Sequence, residues 1–413
     1  MHHSVGPKLN SKKRVGIVLL SFSCWPPDFG GEMLMANERL QALAERGHTI
    51  VALTRRPTGY SSVELVEGIS FRRCPVSGKG WFARAAYLVW TLTKLMTMRF
   101  DALHFGVMPA RRTPTRALAA WIYGAVAKFR GARTVSVASL SDSGDGPWRV
   151  KGKEGIFKGV YYQNIDCLVA VSPVLQKALK CWRPQKNIYI PYGVRNDLFT
   201  PLEEKERCQL REEHGIPEDG VVFITIGSAG RRKGTDVLAQ AFAALSGKHR
   251  NWFLWLVGPM SRAEGCATDE CELAEMMAPL RPWSEQVKYF GRQNDRQVLR
   301  KLLGAADVFV LPTRREGMPL APMEAMATGR PVIISHIPGV TDVACVDKRT
   351  GVFVPVGDAE ALKLAMELLG RDSRYRAELG SQARKRISAS FSWDVHISQW
   401  EKLYTRGVVP GKD

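Results

Sequence analysis

The sequence lacks the features that define small secreted domains, zinc-stabilised domains and membrane-spanning proteins. None of its eight cysteines forms a Cys-x-x-Cys pair, so we expect reduced, mostly buried thiols and neither a structural zinc site nor a disulfide framework. It has no run of about 18 to 20 uncharged apolar residues, the length that a membrane-spanning helix needs. The apolar run over residues 15–22 has no small-residue cleavage site. We therefore expect a cytoplasmic protein.

Acidic residues are scarce in the first half of the chain. The net charge is +19, and residues 1–200 hold 29 Lys and Arg against 12 Asp and Glu, whereas residues 201–413 hold 30 against 28. Such asymmetry predicts an anionic partner for the first half: a phosphate-bearing substrate, an anionic membrane surface or nucleic acid. The sequence contains no recognisable nucleic-acid module, so we do not expect nucleic acid as a partner.

Length and hydrophobic patterning indicate an α/β protein with two doubly wound, Rossmann-like domains. The 413 residues are enough for two or three domains, and 45% of them are hydrophobic. Apolar runs that alternate with helical patterns are typical of parallel strands buried on both faces. The predicted strands cover residues 15–21, 49–54, 102–105, 134–139, 167–172 and 187–191. After Pro201 the pattern starts again, with strands over 221–226, 252–257, 287–290, 307–311 and 331–335.

The strongest signal is a strand-loop-helix-strand pattern with two glutamates, Glu316 and Glu324. The helix is predicted to start near Pro319 and to stop at Gly329 and Pro331. A helix that starts at the carboxyl end of a parallel strand is suited to binding an anion. Glu324 lies among apolar residues and needs hydrogen-bond donors, which sugar hydroxyls could supply. The alternative for Glu324 is a surface contact at the helix margin.

The pattern Glu-Gly-x-Pro-Leu-x-x-x-Glu-Ala-Met-Ala-x-Gly-x-Pro-Val resembles the donor-site motif of the family 4 retaining glycosyltransferases of the GT-B fold. Further segments resemble that family in the same order, over residues 15 to about 404. They are the glycine loop at Gly30 and Gly31, the segments 43–48, 169–172 and 190–201, the loop around Lys233 and Gly234, and the segments 256–259 and 287–291.

The resemblance implies two Rossmann-like domains that face a cleft. We expect a flexible N-terminus over residues 1–14, an acceptor-side domain over 15–198, a donor-binding domain over 199–386, and a C-terminal helix over 387–413 that packs back on the first domain. The implied activity is retaining transfer of a hexose from a nucleotide-diphosphate sugar, with UDP favoured, to a glycan or lipid-phosphate-linked acceptor in cell-surface polysaccharide or glycolipid synthesis. No cofactor or metal is expected, because the chain has no Asp-x-Asp triplet.

The resemblance also assigns roles to residues of the second half. Glu316 would contact the hydroxyls of the transferred sugar and Glu324 those of the ribose, while Lys233 and Arg232 would neutralise the diphosphate. The backbone of the remaining donor-binding positions would face the donor: Gly30, Gly31, Gly227, Ser228, Gly317, Met318, Pro319 and Leu320. Ser228 stands where the family often has Arg, and Arg231 or Arg232 could restore that cation. The alternative for residues 231–233 is a solvated basic turn.

Three polar residues of the first half are further candidates. His104 ends a predicted strand where the family often has a histidine facing the donor sugar, although the usual His-x-His form is lost. It could contact the donor or the acceptor, or it could be a core residue. Asp142 and Asp145 could bind acceptor hydroxyls, or they could belong to a polar turn.

Residues 78–100 predict a helix that mixes aromatic and basic side chains. Such a helix can lie in a membrane interface, which would make the protein peripheral on the inner membrane face, or it can pack on the first sheet like an ordinary helix. The sequence leaves both alternatives open. It also leaves a catalytically silent GT-B scaffold as the alternative function, although the presence of Glu316, Glu324 and Lys233 favours an active enzyme.

Overall fold

A computed structural model gives the fold, and it describes residues 14–20, 31–57, 59–78, 80–106, 114–138, 163–180, 187–345 and 348–406. The chain divides into two compact units. The first consists of Met1–Val171, Leu175–Ile190 and Ile397–Asp413, and the second of Ser172–Val174 and Pro191–His396. Each unit has its own largely parallel sheet. The predicted pair of doubly wound α/β domains is therefore confirmed.

The first unit is built on an eight-stranded sheet of order β3-β4-β2-β1-β5-β6-β7-β8. All neighbouring strands are parallel except β3 and β4, which form an antiparallel hairpin at one edge. The strands are β1 Gly16–Leu20, β2 Thr49–Thr54, β3 Val63–Val66, β4 Ile69–Arg73, β5 Ala102–Phe105, β6 Arg133–Ala138, β7 Cys167–Ala170 and β8 Asn187–Tyr189. The helices are α1 Gly31–Glu45, α2 Trp81–Thr97, α3 Pro114–Phe129 and α4 Pro173–Lys180.

The second unit is built on a six-stranded parallel sheet of order β11-β10-β9-β12-β13-β14. The strands are β9 Val221–Ile226, β10 Trp252–Val257, β11 Val287–Tyr289, β12 Val308–Leu311, β13 Val332–Ser335 and β14 Gly351–Val354. The α-helices are α5 Glu204–Glu213, α6 Thr235–Ser246, α7 Glu270–Met277, α8 Arg296–Ala305, α9 Leu320–Ala327, α10 Ala359–Arg371 and α11 Ser373–Ser390, and α12 Trp393–Arg406 ends the described chain. Arg231–Lys233 and Ala278–Gln286 form 3-10 helices.

The apolar runs of the sequence become the central strands because their side chains are buried on both faces. All four residues of β12 are buried, and so are the first four of β9. In the second unit Phe223 and Phe242 pack in one apolar core together with side chains of α10. Burial of this kind supplies the main favourable term in folding.

Three strands were missing from the sequence prediction: β3 and β4 of the first sheet, and β14 of the second. β3 and β4 form the edge hairpin, in which Val63 and Leu65 of β3 are 65% and 74% exposed. β14 ends the second sheet and is buried only at its two terminal residues. Edge strands that are half exposed do not show the continuous apolar run that reveals a buried parallel strand.

The division between the units lies between Ile190 and Pro191, earlier than the predicted boundary at residues 198 and 199. The reason is a backbone contact, since Val194 N donates to Phe391 O at 2.8 Å and Val194 pairs with Ser392. Near the C-terminus, α11 continues past residue 387 to Ser390. The division there falls inside α12, and residues 397–406 belong to the first unit.

Asp307 holds α5 against the second sheet. Its carboxylate, largely buried, accepts hydrogen bonds from Arg207 at 2.6 Å and from Arg211 at 2.9 Å. The backbone N–H of Val222 in β9 also donates to it, at 2.8 Å. Two guanidinium groups of one helix and a strand amide therefore share a single carboxylate.

Replacing Asp307 by Ala is expected to lower the free energy of unfolding by about 3–5 kcal/mol, because it leaves two largely buried guanidinium groups without their carboxylate. Urea unfolding measures this change. The matched control is Asp197→Ala, which removes a carboxylate whose side chain is 59% exposed and paired with Arg195. It should change the free energy of unfolding by under about 1 kcal/mol. Equal losses in the two variants would contradict the assignment.

Candidate active site

The site is built by two loops that follow neighbouring strands of the second sheet. The first loop, residues 227–234, leaves the carboxyl end of β9, forms the 3-10 turn Arg231–Lys233 and ends at Gly234 before α6. The second loop, residues 312–319, leaves the carboxyl end of β12 and ends at Pro319 before α9. The predicted strand-loop-helix-strand order around Glu316 is confirmed. Both loops lie where parallel α/β sheets bind their ligands.

Backbone and side-chain bonds join the two loops. Arg314 N donates to Arg232 O at 2.8 Å, and Thr313 Oγ1 donates to the same carbonyl at 2.9 Å. The guanidinium of Arg314 donates to Arg231 O at 2.7 Å and grips both carboxylate oxygens of Asp236 at 2.7 and 2.8 Å. Burial raises the pKa of the Asp236 carboxyl, but the bonds from Arg314 outweigh it and leave that pKa below its usual value. These bonds make one rigid unit of the two loops.

Glu316 lies where the two loops meet. Its side chain is only 8% exposed, and its Oε1 accepts from Lys233 Nζ at 2.7 Å and from Arg232 Nη1 at 3.1 Å. Thr313 Oγ1 lies 3.1 Å from the same oxygen, and its one hydroxyl proton is shared between this oxygen and Arg232 O. The structure thus brings together three residues that the sequence assigned to one site. The Lys233 and Arg232 side chains remain 20% and 40% exposed, so they are open to an anion from solvent.

Glu324 has a protein partner that the sequence prediction missed. Its Oε1 accepts from Arg296 Nη1 at 2.8 Å, and the glutamate is buried on α9. The Arg296 guanidinium also lies over the ring of Phe199, 4.7 Å from its centre. One of the hydrogen-bond donors that the buried carboxylate needs is therefore a protein side chain. Arg296 begins α8 and carries no motif that would have revealed its role.

A small cleft opens at the carboxyl ends of β9 and β10. Gly227, Ser228 and Lys233 line it, together with Thr225, Ile226, Ala229, Thr235, Leu238, Leu256, Val257, Met260 and Leu311. The predicted donor-binding positions of the first loop therefore lie on one wall, beside the ammonium of Lys233. The N–H of Gly227 already donates to Val257 O at 2.9 Å, so the ammonium of Lys233 is the group that suits a phosphate here.

The loop after β12 is packed inward beyond Glu316. Gly317, Met318 and Pro319 are buried, and Leu320 begins α9. Met318 Sδ accepts a hydrogen bond from Tyr192 N at 3.2 Å. Within the residues that the structure describes, no three His, Cys, Asp or Glu side chains form a group that could hold a metal ion.

Family models match both halves of the chain. The model of the glycosyl transferases group 1 matches residues 206–386, which contain both loops of the site, and that of the glycosyl transferase 4-like domain matches residues 30–193. The two matches together cover most of the sequence. The chain therefore belongs to the glycosyltransferases of the family 4 type.

Whole-length relatives agree with this assignment. The D-inositol 3-phosphate glycosyltransferase of Corynebacterium diphtheriae is 25% identical over 91% of this chain and 90% of its own length. The lipopolysaccharide core biosynthesis glycosyltransferase LpsE of Rhizobium meliloti is 27% identical over 91% of this chain and 96% of its own. Among solved structures, Anabaena HepE in complex with UDP-glucose superposes with a TM-score of 0.75 at 16% identity, over 96% of this chain and all of that one. The fold of this glycosyltransferase is GT-B.

In the first unit, His104 is enclosed by protein side chains. It is 1% exposed, its Nδ1 lies 2.7 Å from the hydroxyl of Tyr404, and its ring lies 5.6 Å from that of Trp400. Burial and, second, the charge of Arg39 lower the pKa of His104 well below its usual value. In this structure His104 is thus packed as a core residue of the first unit.

The other predicted positions of the first unit are described only in part. Gly31 is the first residue of α1, as expected of a glycine loop ahead of a helix. Gly30, Asp142 and Asp145 lie outside the described residues. In the described chain, no helix is both long and apolar enough to cross a bilayer.

Replacing Gly234 by Ala is expected to separate the two loops of this glycosyltransferase. Gly234 has φ +74°, and a Cβ there would overlap the carbonyl oxygen of Pro312 in the other loop. The loss in the free energy of unfolding should exceed the about 1–2 kcal/mol that a left-handed backbone alone costs. Urea unfolding measures it.

The control is Gly215→Ala, since Gly215 has φ +71° but, in the described structure, no heavy atom within 4 Å of an added Cβ. This variant should lose only the backbone contribution. If Gly234→Ala were no more destabilising than Gly215→Ala, the close contact between the loops would not be needed for stability.

Proposed function

We propose that this glycosyltransferase is a retaining enzyme that moves a hexose from a UDP-sugar to a glycan or lipid-phosphate-linked acceptor, in the synthesis of a cell-surface polysaccharide or glycolipid. The observation that carries the proposal is the cluster of Glu316, Lys233 and Arg232 at the meeting point of the two loops. It places two cations and one carboxylate beside a cleft at the carboxyl ends of parallel strands. A nucleotide-diphosphate sugar needs cations for its phosphates and a hydrogen-bond acceptor for its hydroxyls.

Binding of the donor would replace the ion pairs within this cluster by contacts between the cluster and the donor. Lys233 and Arg232 now share one oxygen of Glu316, and the diphosphate would take the two cations. Glu316 would then accept hydrogen bonds from hydroxyls of the transferred sugar. Arg232 can grip two phosphate oxygens, whereas Lys233 acts as a point charge. Because the loops are tied together, this exchange needs side-chain movement only.

The remaining donor contacts follow from the same two loops. The backbone of Gly227 and Ser228 would face the phosphates and the sugar. The backbone from Gly317 to Leu320 would line the sugar side of the site. Glu324 would accept the ribose hydroxyls on its second oxygen, with Arg296 holding the first.

The chemical step leaves negative charge on the diphosphate. The bond from the anomeric carbon to the β-phosphate oxygen breaks, and its electron pair stays with that oxygen. The acceptor hydroxyl bonds to the same face of the sugar and passes its proton to the departing phosphate, so the anomeric configuration is retained. Lys233 and Arg232 are held in place before the reaction and stabilise the growing charge, which is commonly the largest contribution to catalysis. We propose that these cations make a metal ion unnecessary.

Comparisons guide the choice of substrates. UDP is favoured because Anabaena HepE shares the fold and was solved with UDP-glucose. A phosphate-bearing or lipid-linked acceptor is favoured by the names of the C. diphtheriae and R. meliloti relatives and by the excess positive charge of the first half. We place the enzyme in the cytoplasm, peripheral on the inner face of the membrane.

Replacing Glu316 by Ala should lower kcat by about 100-fold or more, because the sugar loses a contact that orients it in the transition state. The same variant should bind free UDP at least as tightly as the wild type, since the carboxylate no longer competes for Lys233 and Arg232. Turnover and calorimetry measure the two effects. The control is Glu360→Ala, which removes a surface partner of Lys363. Near-normal turnover would contradict the role of Glu316 and would favour a silent scaffold.

Replacing Lys233 by Ala should weaken binding of UDP. A hydrogen bond to a charged group contributes about 1.5–3 kcal/mol, which corresponds to a roughly 10- to 150-fold rise in Kd. Titration calorimetry with UDP measures this rise. Lys301→Ala is the control, because Lys301 pairs with Glu206 on the surface. If Lys233→Ala and Lys301→Ala bound UDP equally well, residues 231–233 would be a solvated turn.

A further inference from the structure

Helix α2 of the first unit is apolar on the side that faces solvent. Trp81, Phe82, Val89 and Met96 are 80%, 64%, 63% and 45% exposed. The opposite side of α2, formed by Ala83, Tyr87, Thr91 and Leu95, is buried against the unit. A helix on the surface of a soluble domain normally pairs a buried apolar side with a polar outer side. A run of large exposed apolar side chains along one helix indicates an interaction surface.

The exposed positions form one continuous stripe. At 100° per residue, residues 81, 82, 85, 89 and 96 fall within about 100° of each other around the helix axis. The 17 residues of α2 make a stripe about 25 Å long. It is therefore long enough to lie flat along another surface, and it does not end in a pocket.

Basic residues surround this stripe and acidic residues are almost absent. Between residues 68 and 141 the chain has twelve Lys and Arg and a single acidic residue, Asp101. Two of these cations pair with carboxylates from outside this range, Arg73 with Glu64 and Lys128 with Asp166. Asp101 is already engaged, because its carboxylate accepts from Gly16 N at 2.7 Å. Among the residues that the structure describes, Arg84, Lys94 and Arg99 form no ion pair with a carboxylate. This part of the first unit therefore presents an excess of positive charge.

A second helix end extends the surface. Arg130 donates to Met98 O at 3.2 Å, which brings the C-terminal ends of α2 and α3 side by side. Phe129, at the end of α3, is 80% exposed. Neither α2 nor α3 contains an acidic residue. The exposed aromatic and basic side chains thus continue from one helix to the next.

We propose that the exposed stripe of α2, with Trp81, Phe82, Val89 and Met96, docks this enzyme on a bilayer that contains anionic lipid, and that the nearby Arg84, Lys94 and Arg99 supply positive charge. Exposed aromatic and aliphatic side chains flanked by Lys and Arg match the boundary between headgroups and acyl chains. A second copy of the chain would bring the same positive charge to the contact and would be repelled. An anionic lipid surface supplies the complementary charge, at about 1 kcal/mol for each Lys or Arg near it.

Docking would bring the donor site to a lipid-linked acceptor, and this purpose alone rests on the proposed function. The docking itself needs neither the donor nor catalysis. Vesicle binding measured without nucleotide therefore tests the surface separately from the activity. A failure of the proposed chemistry would leave the vesicle result unchanged, and the reverse also holds.

The experiment is co-sedimentation of the full chain with vesicles of phosphatidylcholine alone or mixed equally with phosphatidylglycerol, at 0.1 M and 0.5 M NaCl. The wild type should bind the mixed vesicles at least about tenfold more tightly than the neutral ones, and the higher salt should weaken this binding. Trp81→Ser/Phe82→Ser and Arg84→Glu/Lys94→Glu should each weaken it at least about tenfold.

The matched control is Leu364→Ser/Leu368→Ser in α10, which removes two side chains that are 56% and 49% exposed in the second unit. It should bind the mixed vesicles like the wild type. Unchanged thermal unfolding and UDP affinity would show that the α2 variants are folded.

Three results would overturn the proposal. They are a wild type that binds neither vesicle, α2 variants that bind like the wild type, and a control that loses binding equally. A concentration-dependent dimer in sedimentation velocity, lost in Trp81→Ser/Phe82→Ser without any vesicle binding, would instead identify the surface as a contact between two copies.

Discussion

The bonds between Arg314 and the loop that follows β9 are the constraint on which the candidate site depends. Through its backbone N–H and its guanidinium, Arg314 bonds the carbonyls of Arg231 and Arg232 and the carboxylate of Asp236. These contacts set the distance between the first loop, which carries the cations, and the second, which carries Glu316. They thereby support the 2.7 Å contact between Lys233 and Glu316. A site that must stabilise charge needs groups that are already in place.

The two halves of the chain distribute their charge in different ways. In the second unit, cations are balanced by carboxylates, as at Asp307, Glu316 and Glu324, and each carboxylate holds its cations in a defined geometry. In the first unit, the region between residues 68 and 141 has cations with almost no acids. Balanced charge suits a site that positions one ligand, whereas an excess of positive charge suits a broad anionic partner. The donor chemistry and the proposed membrane contact thus reflect two uses of the same residue types.

The parts of the fold that the sequence predicted are those with buried, continuous patterns. The strands at 49–54, 102–105, 221–226 and 252–257 were predicted with the bounds that the structure shows, because each lies inside a parallel sheet. The edge hairpin of β3 and β4 was not predicted, because the exposed Val63 and Leu65 interrupt the continuous buried run that marks a central strand. In the site, the resemblance to the family 4 glycosyltransferases placed Glu316, Lys233 and Arg232 together. It could not reveal Arg296 or the pair of Arg314 and Asp236, which come from positions far apart in the chain. For His104, the position at the end of a strand did not reveal that the side chain is buried against Tyr404.

The central claim is that the two joined loops form the site of the nucleoside diphosphate. Hydrogen–deuterium exchange of the whole chain, without nucleotide and with saturating UDP, GDP or ADP, tests it directly. The account predicts slower exchange in residues 227–234 and 312–320 together with one of the three nucleotides, UDP above all, because a bound ligand suppresses opening of the segments it contacts. Protection confined to other segments of the chain, or protection of one loop without the other, would contradict it.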